Sequence, residues 1–534
     1  MNALLVLYAP PNLTDCMEII FNGKNSLEIA LERSREFPSV CKTVLLAGSE
    51  GNLPVFEGVN IEKRASWTVK DLLETLTAHS EGFDLTYFAW ADCPFLDPEL
   101  AKRLADRHFR YAAEYSYADG WPYGIAPELL SPGTAAILAK ILKDDDNGPV
   151  ERDSLFSVIQ KDINAFDIET EISSVDLRCH RLRLCADSKR NLLLLRRFAQ
   201  DKVPDTAAIE RVIAEKPEIL RTLPAFYPIQ VYGGCPQTCA FCPWSKAGGG
   251  ITERRDFMEP GRFDSLLEKI TAFSGDAVID LSLWGELSLH PQKMELIEMV
   301  LRRPELDLII ETSGIGWKDD EIDKCAALAK TAGGRASSSG KNKFRLSWIV
   351  SLDTADPARY RELRGTGFAE ANSLAKKLLT LFPKDAYVQA VRTAGAEDDI
   401  EKFYRSWKEI TPNTSNIIIQ KYDDFCGFLP RKQASDLSPV QRQPCWHLMR
   451  DMPVLIDGSV PLCREQIAGG GAINGGINIG NVFTEPGANA GADALEIIWE
   501  RGQRFYTEQA GQMPGGKKYD SLCAGCDEYY TYNF

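Results

Sequence analysis

Residues 227–245 read YPIQVYGGCPQTCAFCPWS, in which a short apolar strand pattern runs directly into a loop with three cysteines. Cys235, Cys239 and Cys242 lie within eight positions of one another, between glycines and prolines. A disulfide can use only two of these thiols, whereas a metal centre can use all three. A Cys-x3-Cys-x2-Cys pattern is expected by chance only about 0.01 times in a chain of this composition. The loop therefore predicts a metal centre.

The apolar strand pattern at Tyr227 is the first of six along this part of the chain. Helical periodicity separates it from five further strand patterns, which read AVIDLSLWG, LDLIIETSG, FRLSWIVSLD, AYVQAVR and SNIIIQK. Six strand–helix units in series predict a parallel (β/α)6 barrel, complete or partial, over residues 226–425. Reactive groups in such barrels lie at the carboxyl ends of the strands, which is where the sequence places the three-cysteine loop.

Residues 1–200 form an earlier series of their own. The strand patterns ALLVLYA, KTVLLAG and DLTYFAWAD alternate with helical stretches such as NSLEIALERSREF, which predicts an α/β domain with a mostly parallel sheet. The amino-terminal apolar run is too short to cross a bilayer or to act as a signal peptide, and we interpret it as a buried strand. A polar, helix-forming stretch over residues 201–225 is interpreted as the linker between the two α/β domains.

Residues 426–534 break this pattern and form a cysteine-bearing, glycine-rich tail. Four of its cysteines provide a complete tetrahedral ligand set for an iron–sulfur cluster or a zinc ion: Cys445, Cys463, Cys523 and Cys526. Cys426 is left over, either as a packed thiol or as a group that faces substrate. Residues 333–343, GGRASSSGKNK, are interpreted as a flexible insertion in one loop of the preceding domain.

The composition limits what kind of protein this can be. The chain has 534 residues, of which 44% are hydrophobic and 26% charged, as expected for two to four folded domains. A formal charge of -15 disfavours a nucleic-acid partner or an anionic membrane, since phosphate-rich surfaces attract basic proteins. Fourteen cysteines in a chain without an export pattern predict the reducing cytoplasm, where thiols bind metals or take part in chemistry.

The three-cysteine loop resembles a known family motif. The sequence CPQTCAFC, with an aromatic residue directly before the third cysteine, is similar to the signature of the radical S-adenosylmethionine (radical SAM) enzymes. The resemblance implies that Cys235, Cys239 and Cys242 hold a [4Fe-4S] cluster whose open iron binds SAM. A reducing partner such as flavodoxin or ferredoxin would supply the electron that cleaves SAM to methionine and a 5'-deoxyadenosyl radical. A zinc knuckle or a set of buried thiols is the alternative interpretation of the loop.

Motifs at the ends of the second and third strand patterns resemble those of the same family. The segment LWGELSLHP is similar to the family's Gly-Gly-Glu-Pro, which implies that Gly285 and Glu286 hold the SAM ammonium group. A solvated loop acid is the alternative for Glu286. Trp284 and Leu287 depart from that motif, since the family has glycine and proline there. The segment ETSG resembles Thr-Asn-Gly and places Ser313 at the asparagine position.

The fourth strand pattern continues into VSLDTADPARYRELRGTG, which resembles the Ser-Leu-Asp and Arg-Gly of radical SAM peptide modifiers. The resemblance implies that Ser351 and Asp353 lie near the SAM ribose, where a hydroxyl and a carboxylate can bind sugar hydroxyls. It also implies that Arg364 approaches the SAM carboxylate, with a surface ion pair as the alternative. Gln389 and Arg392 on the fifth strand fit either the site or ordinary barrel packing.

The order of features in the tail resembles the SPASM extension of many radical SAM enzymes. A first cysteine precedes Gly-x4-Cys (Gly458 to Cys463), a Gly-Asn-Val before a helix that contains IIW, and a final Cys-x2-Cys. A full SPASM domain has more cysteines and holds two auxiliary clusters, whereas this tail ends eight residues after Cys526. The resemblance therefore implies one auxiliary [4Fe-4S] cluster, held by Cys445, Cys463, Cys523 and Cys526.

Residues 1–200 resemble the cytidylyltransferase-like sugar nucleotidyltransferases, which have a GT-A type fold. The order of NGKNSLEIALERSREFPSVCKTVLLAG, YFAWADCPFLDPELAKRLADRHF and RLRLCADSKRNLLLLRRFA carries this resemblance. It implies that Asp92 binds metal and nucleotide and that Lys24 follows the nucleotide loop. The first strand, however, continues into YAPPNLTD and not into a glycine- and arginine-rich loop, so backbone amides for a triphosphate are missing or rearranged. We therefore expect a binding or scaffold role in place of nucleotidyl transfer.

The domain order as a whole resembles that of the spirochaete-associated SPASM proteins. It predicts a radical SAM enzyme that removes a hydrogen atom from an unreactive C–H bond, with the amino-terminal domain as a recognition module. The tail favours a peptide or protein substrate, and the amino-terminal domain favours a carbohydrate or sugar nucleotide, so both classes stay open. A sugar nucleotidyltransferase with a structural iron–sulfur half is one alternative function, and a non-catalytic metal-binding scaffold is another. The SAM motifs at successive strands count against both.

Overall fold

The computed structural model describes residues 1–49, 53–143, 147–246, 256–335, 343–439, 442–465, 468–469, 471–472, 476–483, 492–510, 523 and 526–531. The chain divides into two compact units, Met1–Thr222 and a second unit formed by Leu223–Arg335 and Lys343–Phe534. This division falls within residues 201–225, the segment predicted to be a linker. The segments predicted as the radical SAM core and as the tail both lie in the second unit. Most of the predicted flexible insertion lies outside the described residues.

The described part of the first unit is built around a seven-stranded, mostly parallel sheet. Its strands are β1 (Ala3–Tyr8), β2 (Val40–Gly48), β3 (Val59–Arg64), β4 (Leu85–Trp90), β5 (Tyr115–Asp119), β6 (Glu128–Leu130) and β7 (Ile168–Ile172). They lie in the order β3-β2-β1-β4-β6-β5-β7, and β6 runs antiparallel to both its neighbours. Every residue of β1 is buried, which confirms the prediction of a buried first strand.

Helices connect the strands of the first unit, and side-chain caps fix where several of them begin. They are α1 (Ser26–Ser34), α2 (Val69–Ser80), α3 (Pro98–Arg110), α4 (Thr134–Ile141), α5 (Ser154–Ile159), α6 (Lys189–Phe198) and α7 (Thr206–Glu215). The Thr68 hydroxyl accepts a hydrogen bond from the Asp71 N–H (3.2 Å), and the Asp71 carboxylate accepts one from the Thr68 N–H (3.0 Å), so α2 begins after Thr68. The Asp97 carboxylate caps α3 by accepting hydrogen bonds from the N–H groups of Glu99 (2.9 Å) and Leu100 (3.3 Å), and Pro98 is the first residue of that helix.

The described part of the second unit contains a six-stranded sheet in which every neighbouring pair of strands is parallel. Its strands are β8 (Phe226–Pro228), β9 (Ala277–Asp280), β10 (Leu306–Thr312), β11 (Leu346–Ser351), β12 (Ala386–Arg392) and β13 (Ile417–Lys421). They lie in chain order, and each coincides with one of the six predicted strand patterns. The predicted series of strands is therefore confirmed, and its closure into a partial barrel stays a prediction.

Helices alternate with these six strands, as the periodicity of the sequence predicts. They are α8 (Pro243–Lys246), α9 (Pro260–Ser274), α10 (Lys293–Leu301), α11 (Asp319–Ala332), α12 (Pro357–Leu363), α13 (Phe368–Leu381) and α14 (Glu397–Lys408). Their apolar side chains meet those of the strands in one hydrophobic core, in which Phe263 of α9 and Trp348 of β11 are completely buried. None of the described helices in either unit is long and apolar enough to cross a membrane.

The carboxyl-terminal tail packs onto the same hydrophobic core. It contains α15 (Trp446–Arg450), α16 (Leu495–Ala510) and an antiparallel pair of strands, β14 (Ser459–Pro461) and β15 (Asn478–Asn481). The backbone N–H groups of Met452 and Val454 donate to the carbonyl oxygens of Phe226 (2.9 Å) and Pro228 (2.8 Å). The tail therefore continues the hydrogen bonding of the sheet beyond β8.

Candidate functional site

A cavity of about 260 Å³ lies at the carboxyl edge of the parallel sheet in the second unit. Its lining includes most of the side chains predicted to form the site: Cys235, Cys239, Cys242, Gly285, Glu286, Ser313, Ser351, Arg364 and Gln389. The structure brings these residues together because the carboxyl ends of parallel strands meet at one edge of a sheet. Asp353 and Arg392 are not among the described residues that line it.

Hydrogen bonds hold the three-cysteine loop against the ends of the neighbouring strands. The Glu286 N–H donates to the Gly234 carbonyl oxygen (2.9 Å), and the Ala240 N–H donates to the Leu363 carbonyl oxygen (2.8 Å). The Trp244 indole N–H donates to the Gly233 carbonyl oxygen (3.1 Å). The loop is thus tied to the segment after β9, to the end of α12 and to itself, so that its thiols have fixed positions at the cavity.

Gly285 lies where two backbone segments approach closely. A Cβ atom at this position would lie 1.7 Å from the carbonyl oxygen of Tyr232, far inside any allowed contact, so only glycine fits. The preceding residue, Trp284, has a left-handed backbone conformation with φ of 48°. That conformation favours glycine, which accounts for the glycine that the related family motif has in place of Trp284. A non-glycine residue in this conformation carries some backbone strain.

The Glu286 carboxylate connects the ends of two strands. It is buried and accepts hydrogen bonds from the Thr312 hydroxyl (2.6 Å) and from the backbone N–H of Ser313 (2.7 Å). Both donors follow or end β10, whereas Glu286 follows β9. Because Glu286 is buried and hydrogen-bonded, it is not a solvated loop acid. Its hydrogen bonds fix the geometry of the cavity wall on which Gly285 and Ser313 lie.

Arg364 and Asp353 form a buried ion pair beside the cavity. The Arg364 guanidinium donates to the Asp353 carboxylate (2.5 Å) and to the Gln237 side-chain oxygen (3.0 Å). The other Asp353 oxygen accepts from the Val391 N–H (2.7 Å). Arg364 therefore lines the cavity with Asp353 behind it, and Gln237 connects this pair to the three-cysteine loop. Arg364 is not part of a surface ion pair, and the sequence motifs did not indicate Gln237.

Burial determines the protonation state of the three thiols. Burial and the nearby Glu286 carboxylate raise the pKa of Cys235 to about 12, and burial raises the pKa of Cys239 to about 11. Burial raises the pKa of Cys242 as well. The thiols are therefore protonated at neutral pH, and a bound metal would have to drive their deprotonation. Three thiols facing one cavity are a donor set for iron that leaves one coordination position to another ligand.

Two acids at the cavity were not predicted from the sequence motifs. Burial raises the pKa of Asp280, the last residue of β9, to about 6. Glu311, near the end of β10, accepts hydrogen bonds from the Ser351 hydroxyl (2.8 Å) and the Gln389 amide (2.7 Å). An acid at the carboxyl end of an otherwise apolar strand is the sequence signal that could have indicated both.

A second group of cysteines lies in the tail. One small cavity is lined by the thiols of five described residues, Cys426, Cys445, Cys463, Cys523 and Cys526. The backbone N–H groups of Glu465 and Glu528 donate to the sulfur atoms of Cys463 (3.5 Å) and Cys526 (3.4 Å). Cys426 hydrogen-bonds to Cys526. The structure therefore brings together the four cysteines predicted to hold an auxiliary cluster, and it adds Cys426 to them.

The segment Tyr422–Gly427, which follows β13, reaches both cysteine sites. Phe425 and Cys426 both have left-handed backbone conformations, with φ of 52° and 57°. The Phe425 ring lines the first cavity, where its centroid lies 5.6 Å from that of Trp284, whereas Cys426 lines the second cavity. Two consecutive residues therefore connect the two sites covalently.

The residues predicted for a nucleotide site in the first unit have partners within that unit. Asp92 is completely buried and pairs with the guanidinium of Arg152 (2.5 Å). Lys24 is exposed and pairs with Glu32 (2.7 Å). Both charges are therefore already compensated.

Three solved structures show weak similarity to this chain. Streptococcus suis SuiB bound to precursor peptide SuiA is 14% identical, with a TM-score of 0.38, and the match covers 70% of this chain and 83% of SuiB. The enzyme anSMEcpe with bound AdoMet is 13% identical, with a TM-score of 0.37 and coverage of 54% and 84%. A cytidylyltransferase from Leptospira borgpetersenii serovar Hardjo-bovis is 17% identical, with a TM-score of 0.35 and coverage of 41% and 97%. All three TM-scores are below 0.5, so these similarities do not establish a shared fold.

Sequence comparison identifies a much closer relative. No protein-family model matches the chain. An uncharacterized protein of Treponema pallidum (strain Nichols) is 34% identical over 388 residues, a match that covers 71% of this chain and 98% of the relative. Identity at this level, over nearly the full length of the relative, indicates common descent. The chain belongs to the same protein family as this Treponema pallidum protein.

Proposed function

We propose that this protein is a cytoplasmic radical SAM enzyme that removes a hydrogen atom from a peptide, protein or carbohydrate substrate. The observation that carries this proposal is the three-cysteine loop at the carboxyl edge of the parallel sheet, which shares its cavity with Glu286, Ser313, Ser351 and Arg364. Three thiols beside an anionic and a cationic side chain suit a metal cluster whose additional ligand is an amino acid. The fourteen cysteines suit a reducing compartment.

Each residue at the cavity has a role in this proposal. Cys235, Cys239 and Cys242 would hold a [4Fe-4S] cluster and leave one iron for SAM. When reduced by a partner such as flavodoxin or ferredoxin, a cluster of this kind supplies the electron that cleaves SAM to methionine and a 5'-deoxyadenosyl radical. The Glu286 carboxylate is suited to the SAM ammonium group, and the Arg364 guanidinium is suited to the SAM carboxylate.

The ends of the neighbouring strands complete the SAM site, because they offer groups that can bind the SAM ribose. The Ser351 hydroxyl and the backbone at Ser313 lie on the same cavity wall and can bind sugar hydroxyls. Asp353 acts on SAM through Arg364, because Arg364 lines the cavity whereas Asp353 is not among the described residues that do. The Gln389 amide donates a hydrogen bond to Glu311, and this contact orients Glu311 and holds Gln389 in the cavity wall.

The second group of cysteines would hold one auxiliary [4Fe-4S] cluster through Cys445, Cys463, Cys523 and Cys526. Its N–H···S hydrogen bonds suit a cluster, since such bonds tune the potential of iron–sulfur centres. The covalent connection through Phe425 and Cys426 favours electron exchange with the first site, or positioning of substrate between the two.

The rest of the first cavity favours a polar substrate. Its wall carries the acids Asp280, Glu311 and Asp423 and the base Arg464. The carboxylates can accept hydrogen bonds from amides, amines or hydroxyls, and the Arg464 guanidinium can donate to carbonyl or hydroxyl oxygens, and peptides and sugars both offer such groups. We assign the first unit a recognition role, for which a sugar nucleotide is the candidate ligand.

Cluster content tests this proposal. Protein reconstituted anaerobically with iron and sulfide should carry about eight iron atoms per chain, as two four-iron clusters require, and should form 5'-deoxyadenosine from SAM after reduction with dithionite. Replacing Cys235, Cys239 and Cys242 with alanine should leave about four iron atoms and abolish 5'-deoxyadenosine. Cys325→Ala is the matched control, because Cys325 is buried in α11 and lines neither site. Zinc in place of iron, or unchanged iron in the triple variant, would contradict the proposal.

A further inference from the structure

The first unit contains a group of ligand atoms that could hold a divalent cation. One oxygen of Asp92, the thiol of Cys185 and one oxygen of Asp187 all lie within 4.8 Å of one another. The two carboxylates are ligands that suit Mn²⁺. Asp92 follows β4, at the carboxyl edge of the sheet, and is completely buried. Charge at this position therefore needs a partner inside the protein.

That partner is an arginine side chain. One nitrogen of the Arg152 guanidinium donates to one oxygen of Asp92 (2.9 Å), and a second nitrogen donates to its other oxygen (2.5 Å). The second nitrogen also lies 3.2 Å from an oxygen of Asp187. The guanidinium thus spans both carboxylates and uses both oxygens of Asp92, which are the atoms that a cation would need.

Arg152 is fixed in this position by aromatic rings. Its guanidinium carbon lies 4.4 Å from the centroid of the Trp90 ring and 5.3 Å from that of the Tyr123 ring. The side chain is only 11% exposed. The cation–π contacts with the two rings and the bidentate contact with Asp92 both favour arginine at this position.

We infer that Arg152 takes the place of a divalent cation in the first unit, so that Asp92 and Asp187 are held together without a metal. A cation entering this group would meet a fixed positive charge and would have to displace it from both acids. Removing the guanidinium should therefore create a Mn²⁺ site that the natural chain lacks. Arg152 and its partners all belong to the first unit, so this conclusion does not depend on the function proposed for the second.

Mn²⁺ binding to the full-length protein tests this inference. The protein is titrated with Mn²⁺, and free Mn²⁺ is monitored by electron paramagnetic resonance. The natural chain and Asp187→Asn should bind Mn²⁺ equally, because Asp187 already pairs with Arg152. Arg152→Ala should gain one site that binds Mn²⁺ at least tenfold more tightly, and Mn²⁺ should raise the Tm of this variant but not that of the natural chain. Combining Arg152→Ala with Asp187→Asn should remove the gain, and Arg152→Lys, which keeps the charge, should not show it.

Two results would overturn the inference. The first is a Mn²⁺ site in the natural chain that Asp187→Asn abolishes, since the acids would then bind a cation despite Arg152. The second is a folded Arg152→Ala protein that gains no Mn²⁺ site. If Arg152→Ala does not fold, Arg152→Gln replaces it, because glutamine removes the charge and keeps most of the volume. The comparison of the natural chain with Asp187→Asn shows in either case whether the natural chain has a Mn²⁺ site at these acids.

Discussion

Gly285→Ala should loosen the three-cysteine loop, and the structure gives the size of the effect. The new Cβ atom would lie 1.7 Å from the Tyr232 carbonyl oxygen. Carbon–oxygen contacts are normally no shorter than about 3.3 Å, so the two backbone segments must separate by about 1.6 Å. The Glu286 N–H bond to Gly234 (2.9 Å) would then break, which costs about 1 kcal/mol. Strain from overpacking adds about 1–3 kcal/mol, so the second unit should lose about 2–4 kcal/mol of stability.

Urea unfolding of the two glycine variants Gly285→Ala and Gly261→Ala provides the measurement and its control. Gly261 lies in the first turn of α9, and a Cβ atom there would have no atom within 4 Å. Gly261→Ala should therefore leave stability unchanged or raise it by up to about 1 kcal/mol, as helix propensity favours alanine. Iron content after reconstitution should fall in Gly285→Ala and stay constant in Gly261→Ala. Equal stability and equal iron content in both variants would refute the reasoning.

Two further predictions concern buried charge. Arg364→Ala should destabilise the second unit by about 3–5 kcal/mol, because it leaves the Asp353 carboxylate buried without its partner. Arg359→Ala removes two more exposed ion pairs, with Glu362 and Asp399, and should cost less than about 1 kcal/mol in the same urea titration. Similar losses in the two variants would count against a structural role for the buried pair. Burial lowers the pKa of His108 in the first unit to about 4, so between about pH 6.5 and 4 the unfolded chain binds a proton that the folded chain does not. The natural protein should therefore lose up to about 3 kcal/mol relative to His108→Gln as the pH falls through this range, and parallel pH profiles of the two unfolding free energies would contradict this prediction.

The six strands of the second unit could be predicted because each lies in a mainly apolar run. Strands β10 and β11 are largely buried, and β8 to β13 appear in the sequence as separate hydrophobic segments. The topology of a parallel sheet then places the cysteine loop and the motifs after the later strands at its carboxyl edge. Strand β6, Glu128–Leu130, runs antiparallel and lies between Pro127 and Ser131 without a longer apolar run, whereas the equally short β8 lies at the start of the longer apolar pattern YPIQVYG.

The contacts within the sites depend on pairings that no local pattern contains. Asp92 and Arg152 are sixty positions apart, and their ion pair depends on how the first unit folds. The sequence motifs gave Arg364 and Asp353 separate roles toward SAM, whereas the structure joins them in one ion pair. Cys426 could not be placed because its loop adopts left-handed conformations at Phe425 and Cys426, which the types of these residues do not favour.

The loop Tyr422–Gly427 also limits how this protein can change during evolution. Phe425 and Cys426 are neighbours in the chain but contribute to different cavities. A substitution at either position alters one cavity and leaves the other intact. Loss or gain of a single residue, in contrast, would bring a thiol to the position of the ring, or the ring to the position of the thiol. A change in the length of this loop should therefore disturb both cavities at once, whereas a substitution should disturb only one.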